Sequence, residues 1–200
     1  MENFSILSET AKSIINNVSS RPSPCDVVEA LLEAEKTAKK KKITQYFEQL
    51  LGNWRLCFIT GTKKTRQRAG IVLGAGRYIP KFVKITISYS ASEQPSAGRV
   101  ENVVEIGLLK LSVTGPVKFL PKKNILAFDF TKMKVQVLGA KLYEGYIRGG
   151  KAREQQFEQE SIGKQAFFAY FLLEYQIIAA RGRGGGLALW GRETKSALST

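Results

Sequence analysis

Histidine is absent from this 200-residue chain. Its absence excludes Ser-His-Asp and Cys-His catalysis, imidazole metal ligands and imidazole pH switches. The only cysteines are Cys25 and Cys57, so at most one disulfide can form and we expect a reducing, intracellular compartment. No apolar run approaches the roughly 20 residues of a membrane-spanning helix. The sequence therefore predicts a soluble globular protein.

Carboxylates placed for acid–base catalysis are scarce as well. In the candidate middle strands, the only carboxylates are those of Glu101, Glu105 and Asp129, and no two are spaced to form an evident shared site. Asp129 stands between Phe128 and Phe130, so in a strand its side chain points away from both rings. We therefore expect a protein that is not an enzyme and needs no metal.

Basic residues outnumber acidic ones by 31 to 17, which gives a net charge of +14. The excess is local, because residues 1–35 hold two bases and six acids, whereas residues 36–84 hold thirteen bases and one acid. An acidic head before a basic middle is typical of a surface that meets phosphate, either of a nucleic acid or of an anionic membrane. A solvated, solubilising surface is the alternative.

The first quarter of the chain has helical periodicity. Apolar residues recur at spacings of three and four over residues 3–20, which predicts an amphipathic helix that ends at Arg21–Pro24. Ser23 or Asp26 is a suitable N-cap for a second helix that continues towards Lys39–Lys42. Residues 43–51 form a third, short helical pattern. We therefore predict a helical segment over residues 1–51, packed on the remainder of the chain.

From Gly52 onward, β-branched and aromatic residues are interrupted every eight to twelve residues by Gly, Pro or Asn, which is typical of antiparallel barrels and sandwiches. The candidate strands are Trp54–Thr60, Ala69–Leu73, Phe82–Ser90, Arg99–Ile106, Leu109–Thr114, Val117–Phe119, Ile125–Phe130, Lys134–Leu138, Ala166–Ala180 and Gly186–Arg192. The range Ala166–Ala180 is long enough for two strands or one bent strand. The polar segment 149–165 is expected to form a long loop or short helix at a barrel mouth. The pattern predicts a mainly β, antiparallel barrel of eight to ten strands over residues 52–193, with a tail over 194–200.

A barrel brings its first and last strands together, which pairs two motifs of this sequence. Gly52-Asn53-Trp54 opens the first strand, and Arg192 follows Trp190 by two residues on the same face of the last strand. A guanidinium there can cover the Trp54 indole and bond to nearby carbonyls, which would close one end of the barrel. Arg192 is the preferred partner and Arg181 the alternative.

Aromatic side chains supply candidates for the lining of a barrel cavity. An eight-stranded barrel either fills with side chains or holds one small ligand, and both possibilities stay open here. An apolar lining with a few polar tips suits a long ligand with one oxygenated end. The candidate cavity residues are Trp54, Phe58, Tyr89, Phe128, Phe130, Phe168 and Tyr170, with the open end expected opposite Trp54.

Several segments resemble the plastid lipid-associated protein (fibrillin) family. LGNWRLCFIT resembles its opening strand, RVENVVEIGLLKLSVTGPVKF and ILAFDF resemble its middle, and EYQIIAARGRGGGLALWGR resembles its ending, in the same order. The resemblance covers roughly residues 45–193. It implies a lipocalin-like fold, association with thylakoid membranes or plastoglobules, and a non-catalytic role in carrying a lipid, quinone or carotenoid.

The same resemblance implies a location. Glu2 and Glu9 in the first ten residues argue against an intact plastid transit peptide, which is poor in acidic residues. We therefore expect a cyanobacterial member of the family, peripheral on the cytoplasmic side of the thylakoid membrane, or a mature plastid fragment.

The basic cluster Lys63, Lys64, Arg66 and Arg68 is the candidate site for an anionic surface. A nucleic-acid-binding barrel of the OB type is the competing hypothesis, because such barrels bind single strands along basic grooves. Residues 61–70 contain no aromatic side chain on which bases could stack. The sequence therefore favours an anionic membrane over nucleic acid as the partner.

Overall fold

The computed structural model describes residues 2–61, 76–93 and 96–193. Its α-helices are α1 (Glu2–Ile15), α2 (Pro24–Lys41) and α3 (Gly150–Gln156), and its 3-10 helices span Phe47–Leu50, Pro121–Lys123 and Ile162–Lys164. Its strands are β1 (Gly52–Thr60), β2 (Gly76–Tyr78), β3 (Val83–Ala91), β4 (Ala97–Ile106), β5 (Leu109–Leu120), β6 (Ile125–Phe128), β7 (Lys132–Val137), β8 (Ala140–Tyr146), β9 (Ala166–Leu173), β10 (Ile177–Gly182) and β11 (Leu187–Arg192).

Eight of these strands close into an antiparallel barrel. Each hydrogen-bonds to the next in the order β1, β3, β4, β5, β6, β9, β10, β11, and β11 pairs again with β1. Outside this circuit, β2 pairs with β1, and β7 continues along β5 beyond β6 and pairs with β8. The predicted mainly β barrel with N-terminal helices is therefore confirmed.

The two ends of the barrel are distinct. Gly52 of β1 lies beside Tyr89 of β3 at one end, which also holds Trp54 and Arg192 and is called the Trp54 end. Strand β1 runs from there to Thr60. The opposite end, called the Thr60 end, holds the β4–β5 and β7–β8 hairpin turns.

Several element boundaries differ from those expected. Helix α1 ends at Ile15, and only Phe47–Leu50 of residues 43–51 is helical, as a 3-10 turn. Residues 109–120 form one strand because both halves pair with β4 across Gly115 and Pro116. Strand β8 was not predicted, and the candidate strand Ala69–Leu73 lies outside the described residues. Residues 166–180 divide into β9 and β10, which is one of the two arrangements expected for this range.

The N-terminal helices pack on the outer wall of the barrel. Ser23 caps α2, because its hydroxyl accepts a hydrogen bond from the Asp26 backbone N–H at 3.2 Å. Helix α1 contacts β1, β10 and β11, and α2 contacts β2 and β9. The buried layer between helices and barrel includes Leu7, Ala11, Ile14, Val27, Val28, Leu31, Cys57, Phe58, Phe171, Ile177, Ala179, Leu187 and Leu189. The wall is apolar on both faces here because both faces are covered.

A buried ion pair fastens α2 to the barrel. The Glu35 carboxylate accepts from Arg181 Nε at 2.8 Å and from Arg181 Nη2 at 2.5 Å, and Lys39 Nζ lies 3.0 Å from the same carboxylate. The hydrogen bonds from Arg181 lower the pKa of Glu35, although burial acts in the opposite direction. The ionised pair therefore stabilises the helix–barrel contact at neutral pH.

This pair makes the stability of the fold depend on pH. Because the folded-state pKa of Glu35 lies below its ordinary value of 4.5, the pair stabilises the protein above that pH and loses its contribution as the pH falls through the folded-state pKa. Glu35→Gln should lower the free energy of unfolding by about 1–3 kcal/mol at neutral pH, because Arg181 keeps its charge without a carboxylate. The free energy of unfolding, measured with urea between about pH 6 and about pH 3, should depend less on pH in Glu35→Gln than in the unchanged protein.

Glu33→Gln is the matched control, because Glu33 lies on the same helix and its side chain is half exposed beside Lys36. We expect it to change the unfolding midpoint little. Equal stability of Glu35→Gln and the unchanged protein at neutral pH would contradict the assigned role of the pair.

Candidate functional site

The interior of the barrel is built by the alternation of side chains along its strands. Apolar residues from all eight strands and from the 3-10 turn before β1 meet there in one buried cluster. The cluster consists of Phe47, Leu50, Trp54, Ile87, Tyr89, Val100, Val117, Phe119, Leu126, Phe128, Tyr170, Leu173, Ile178, Ala180 and Trp190, with Leu51, Leu56, Phe130, Phe168 and Ala188 packed partly buried against it.

Trp54 and Arg192 close the Trp54 end. The indole is fully buried and donates a hydrogen bond from Nε1 to the Leu50 carbonyl at 2.6 Å. The Arg192 guanidinium lies 4.0 Å from the indole centroid and donates to the carbonyls of Leu51 and Tyr175. The contact expected between these two residues is therefore present, and it ties the end of β11 to the segment that precedes β1.

Arg181 takes no part in this closure. Leu187, its partner across β10 and β11, lies near the Thr60 end of the barrel, and the Arg181 guanidinium binds Glu35 and the Gly185 carbonyl instead. The alternative assignment of Arg181 as the cover of Trp54 is wrong. Ile177, at the start of β10, lies near the Trp54 end, and Arg181 lies four residues further along the strand, near the Thr60 end.

A tyrosine pair bridges the barrel from wall to wall. The hydroxyls of Tyr89 on β3 and Tyr170 on β9 lie 2.8 Å apart, and both side chains are buried. These strands are four positions apart in either direction around the circuit, so the hydrogen bond crosses the full interior. Burial raises the pKa of both phenols, which keeps them protonated. This hydrogen-bonded pair, called the Tyr89–Tyr170 bridge, lies between the two halves of the interior.

On the Thr60 side of the bridge, fewer interior side chains are buried. On the Trp54 side, interior residues such as Val117, Leu173 and Ile178 are buried. Towards the Thr60 end Ile87 and Phe128 are buried, but several other positions that strand alternation points inward are only half-buried: Leu56, Ile85, Asn102, Val104, Val113, Phe130, Phe168 and Ala188. The interior side chains are therefore buried in one half of the barrel and partly accessible in the other, which we call the open half.

The aromatic candidates divide between the interior and the outer layer. Phe128 stacks on Phe168 at 5.0 Å and lies 5.3 Å from Phe130, and Phe168 meets the edge of Trp190 at 5.4 Å. Trp54, Tyr89 and Tyr170 also belong to the interior cluster. Phe58 does not: it packs against Tyr78 and the helices on the outside of β1, so its assignment to the cavity lining is wrong.

A polar residue that the sequence did not single out lies in the open half. Asn102 pairs with Ile87 and Val113, both on interior positions, so its side chain shares their face. Its Oδ1 is buried and has no hydrogen-bond partner among the described residues. An unpaired buried acceptor costs about 1–3 kcal/mol, so Asn102 is the open half's candidate contact for a polar ligand group.

The segment 149–165 covers the outer wall. It contains α3, which agrees with the short helix expected there, but its residues 154–160 contact outward-facing side chains of β4 and β5. Arg99 pairs with Glu154, and Lys118 Nζ donates to the carbonyls of Phe157, Glu158 and Glu160 at 2.8–3.1 Å. The expectation that it forms the barrel mouth is therefore wrong for the part that contacts β4 and β5.

The remaining candidates are few. Lys63, Lys64, Arg66 and Arg68 lie outside the described residues. Burial raises the pKa of Cys57 to about 12, so this thiol behaves as a small apolar side chain beneath α1. Among the described residues, no group of three or more Cys, Asp or Glu side chains is placed to hold a metal ion. Within the same part of the chain, no helix is both long and apolar enough to cross a bilayer.

No protein-family model matches this sequence, and no curated protein matches it either. The eight-stranded antiparallel barrel is consistent with a lipocalin-like fold. The resemblance to plastid lipid-associated proteins thus has its support in the quoted sequence segments and in this coarse architecture.

Proposed function

We propose that this protein is a non-catalytic carrier that holds a hydrophobic small molecule in the open half of its barrel. The observation that carries the proposal is the contrast between interior positions on the two sides of the Tyr89–Tyr170 bridge. On the Trp54 side of the bridge, residues such as Leu173 and Ile178 are buried, whereas towards the Thr60 end inward-pointing residues such as Leu56 and Phe168 are only half-buried. A small barrel with a partly accessible, apolar half is suited to one small ligand.

The lining supports a ligand that is largely apolar with one oxygenated group. Phe130 and Phe168 offer aromatic surface, and Asn102 offers a single buried amide among apolar neighbours. A ligand hydroxyl near the amide would satisfy its unpaired oxygen. Lipids, quinones and oxygenated carotenoids share this chemistry, which agrees with the ligands implied by the resemblance.

A photosynthetic membrane is the proposed place of action. The resemblance to plastid lipid-associated proteins supports it, and the charge of residues 36–84 supports peripheral binding to an anionic leaflet. The OB-type alternative has less support, because OB domains are five-stranded barrels and this barrel has eight strands in its circuit. A peripheral structural protein with a filled barrel is the alternative that the following experiment separates.

Ala188→Phe should weaken binding of a fluorescent fatty acid by at least about tenfold, which corresponds to about 1.4 kcal/mol. Ala188 lies half-buried on the interior face of β11, so the added ring would occupy the open half. Fluorescence titration measures the affinity, with a quinone and a carotenoid as competitors. Because the ring enters accessible space, the unfolding midpoint should change little.

Ala180→Phe and Ala91→Phe are the matched controls. Ala180 pairs with Ala188 across β10 and β11 but is fully buried, so the same ring there should lower the free energy of unfolding by about 1–3 kcal/mol. Ala91 is exposed at the Trp54 end, and its change should leave binding unaltered. Equal destabilisation by Ala188→Phe and Ala180→Phe, with no ligand bound by the unchanged protein, would favour the filled barrel.

A further inference from the structure

Large apolar side chains stand exposed around the Thr60 end of the barrel. Their exposed fractions range from 42% to 72%, far above those of the core. They lie in the turn before β3, in the β4–β5 hairpin and in the β7–β8 hairpin. We call them the apolar rim, which consists of Phe82, Ile106, Leu108, Leu109, Leu138 and Leu142.

The rim residues are neighbours in space. Val83, which follows Phe82, pairs with Ile106, and Ile106 pairs with Leu109. The Leu138 backbone N–H donates to the Leu108 carbonyl at 3.1 Å, which joins the two hairpin tips. The turns that carry Phe82, Ile106, Leu108, Leu109 and Leu138 are therefore neighbours at the Thr60 end, and Leu142 follows on β8. The rim is thus a patch of apolar side chains beside the open half.

The backbone at Leu138 adds an independent observation. This residue has a φ of +54° and precedes Gly139, which has a φ of +79°, at the two-residue turn between β7 and β8. Such turns favour Asn-Gly, and a leucine in the left-handed region carries a conformational cost. The Leu138 side chain is 72% exposed, so packing against the described residues does not offset this cost.

The charge around the rim indicates what binds there. The ranges 81–84, 105–110 and 132–146 contain six lysines and two glutamates, and Lys84 is also paired with Glu193, which leaves a net charge of +3. A second copy of this chain in a symmetric contact would place that charge against itself. An anionic lipid surface instead attracts the lysines and accepts apolar side chains among its headgroups.

We propose that the apolar rim docks the barrel on an anionic lipid membrane, with the hairpin tips in the headgroup region and the open half facing the bilayer. Docking itself needs only the rim and its lysines. Transfer of a ligand between bilayer and barrel rests in addition on the proposed function.

The first test removes the rim's apolar tips. In co-sedimentation with vesicles of equal parts phosphatidylglycerol and phosphatidylcholine, the double variant Leu108→Ser/Leu138→Asn should bind at least about tenfold more weakly than the unchanged protein. The control is Phe4→Ser/Leu32→Ser, which removes two exposed apolar side chains, 48% and 44% exposed, from α1 and α2. We expect the control to bind normally, and pure phosphatidylcholine to bind both proteins weakly.

Leu138→Asn alone separates docking from folding. It places the favoured Asn-Gly pair at the turn, so we expect a higher unfolding midpoint together with weaker vesicle binding. A loss of binding that comes with a loss of stability would instead indicate damage to the fold and would overturn the inference.

The second test reports contact directly. In a Cys25→Ser background, an environment-sensitive fluorophore attached after Leu138→Cys should shift to the blue on anionic vesicles, and one attached after Leu32→Cys should not. Cys57 is buried and leaves a single reactive site. The inference is overturned by a shift at position 32 alone, by no vesicle binding, or by a rim-dependent dimer in solution.

These outcomes are distinguishable from failure of the carrier function. Fluorescent fatty acid binding without vesicles tests the open half, and vesicle binding without added ligand tests the rim. Rim variants that keep solution affinity for the fatty acid while losing vesicle binding support docking. Vesicle binding that persists when no ligand enters the barrel leaves the docking inference intact and removes the carrier proposal.

Discussion

Replacing Trp54 by alanine should lower the free energy of unfolding by about 3–5 kcal/mol, the usual range for a large aromatic side chain removed from a core. The indole is fully buried, and its N–H donates to the Leu50 carbonyl at 2.6 Å. Its loss would leave a cavity at the Trp54 end, an unpaired carbonyl on Leu50 and an Arg192 guanidinium without the ring that it covers. Urea or thermal unfolding followed by far-ultraviolet circular dichroism measures the change.

Trp54→Phe separates the contributions of the ring and of the N–H group. A phenyl ring keeps a face for Arg192 and fills much of the site, so the loss should be smaller, about 1–3 kcal/mol, and reflect mainly the bond to Leu50. A change below about 1 kcal/mol in Trp54→Ala would show that Trp54 does not close the barrel, since cavities of that size cost more.

Trp54 and Arg192 could be paired from the sequence because two simple rules apply to them. A closed barrel makes its first and last strands neighbours, and side chains two residues apart on a strand share a face. Trp54 and Arg192 are indeed partners in the register of β1 and β11. Tyr89, Phe128, Phe168 and Tyr170 were candidates for the cavity lining because they are aromatic, and the structure has all four in the interior cluster or packed against it.

Phe58 shows where the same rule fails. The register of β1 against β11 shifts between Leu56 and Phe58, so the alternation established by Trp54 and Leu56 is interrupted at Cys57. The side chains on both faces of β1 are apolar because α1 and α2 cover its outer face. The hydrophobicity pattern therefore could not locate the bulge in β1. For this reason Phe58 was predicted on the interior face, whereas it lies on the outer face.

The open half and the apolar rim had no clear sequence signal. Asn102 lies in a strand of otherwise ordinary alternation, and its inward direction follows only from its pairing with Ile87 and Val113. Strand β8 was missed because its residues are mostly exposed and carry no apolar face. The open half and the apolar rim are both formed by residues far apart in the sequence, which become neighbours only when the whole barrel has closed.

Gly115 is the site of the second large effect expected on stability. A Cβ atom there would lie 1.8 Å from the Asp129 carbonyl oxygen and 3.2 Å from the Thr131 backbone nitrogen. This is the point where the chain passes from β6 to β7, held to β5 by hydrogen bonds from Asp129 N–H to the Pro116 carbonyl and from Thr131 N–H to the Thr114 carbonyl. Only glycine allows this approach of the two backbones.

Gly115→Ala should therefore lower the free energy of unfolding by about 2–4 kcal/mol, because the backbone must move apart and strain or lose both hydrogen bonds. Gly163→Ala is the matched control, since a Cβ atom there meets no heavy atom within 4 Å. Denaturant unfolding compares the two, and equal stability would contradict the close approach.

Because β6 pairs with β9 whereas β7 leaves to pair with β8, the crossing at Gly115 also separates the barrel wall from the hairpin of the apolar rim. We therefore expect Gly115→Ala to increase amide hydrogen exchange in β7 and β8 more than in β1 and β11, at the far side of the barrel.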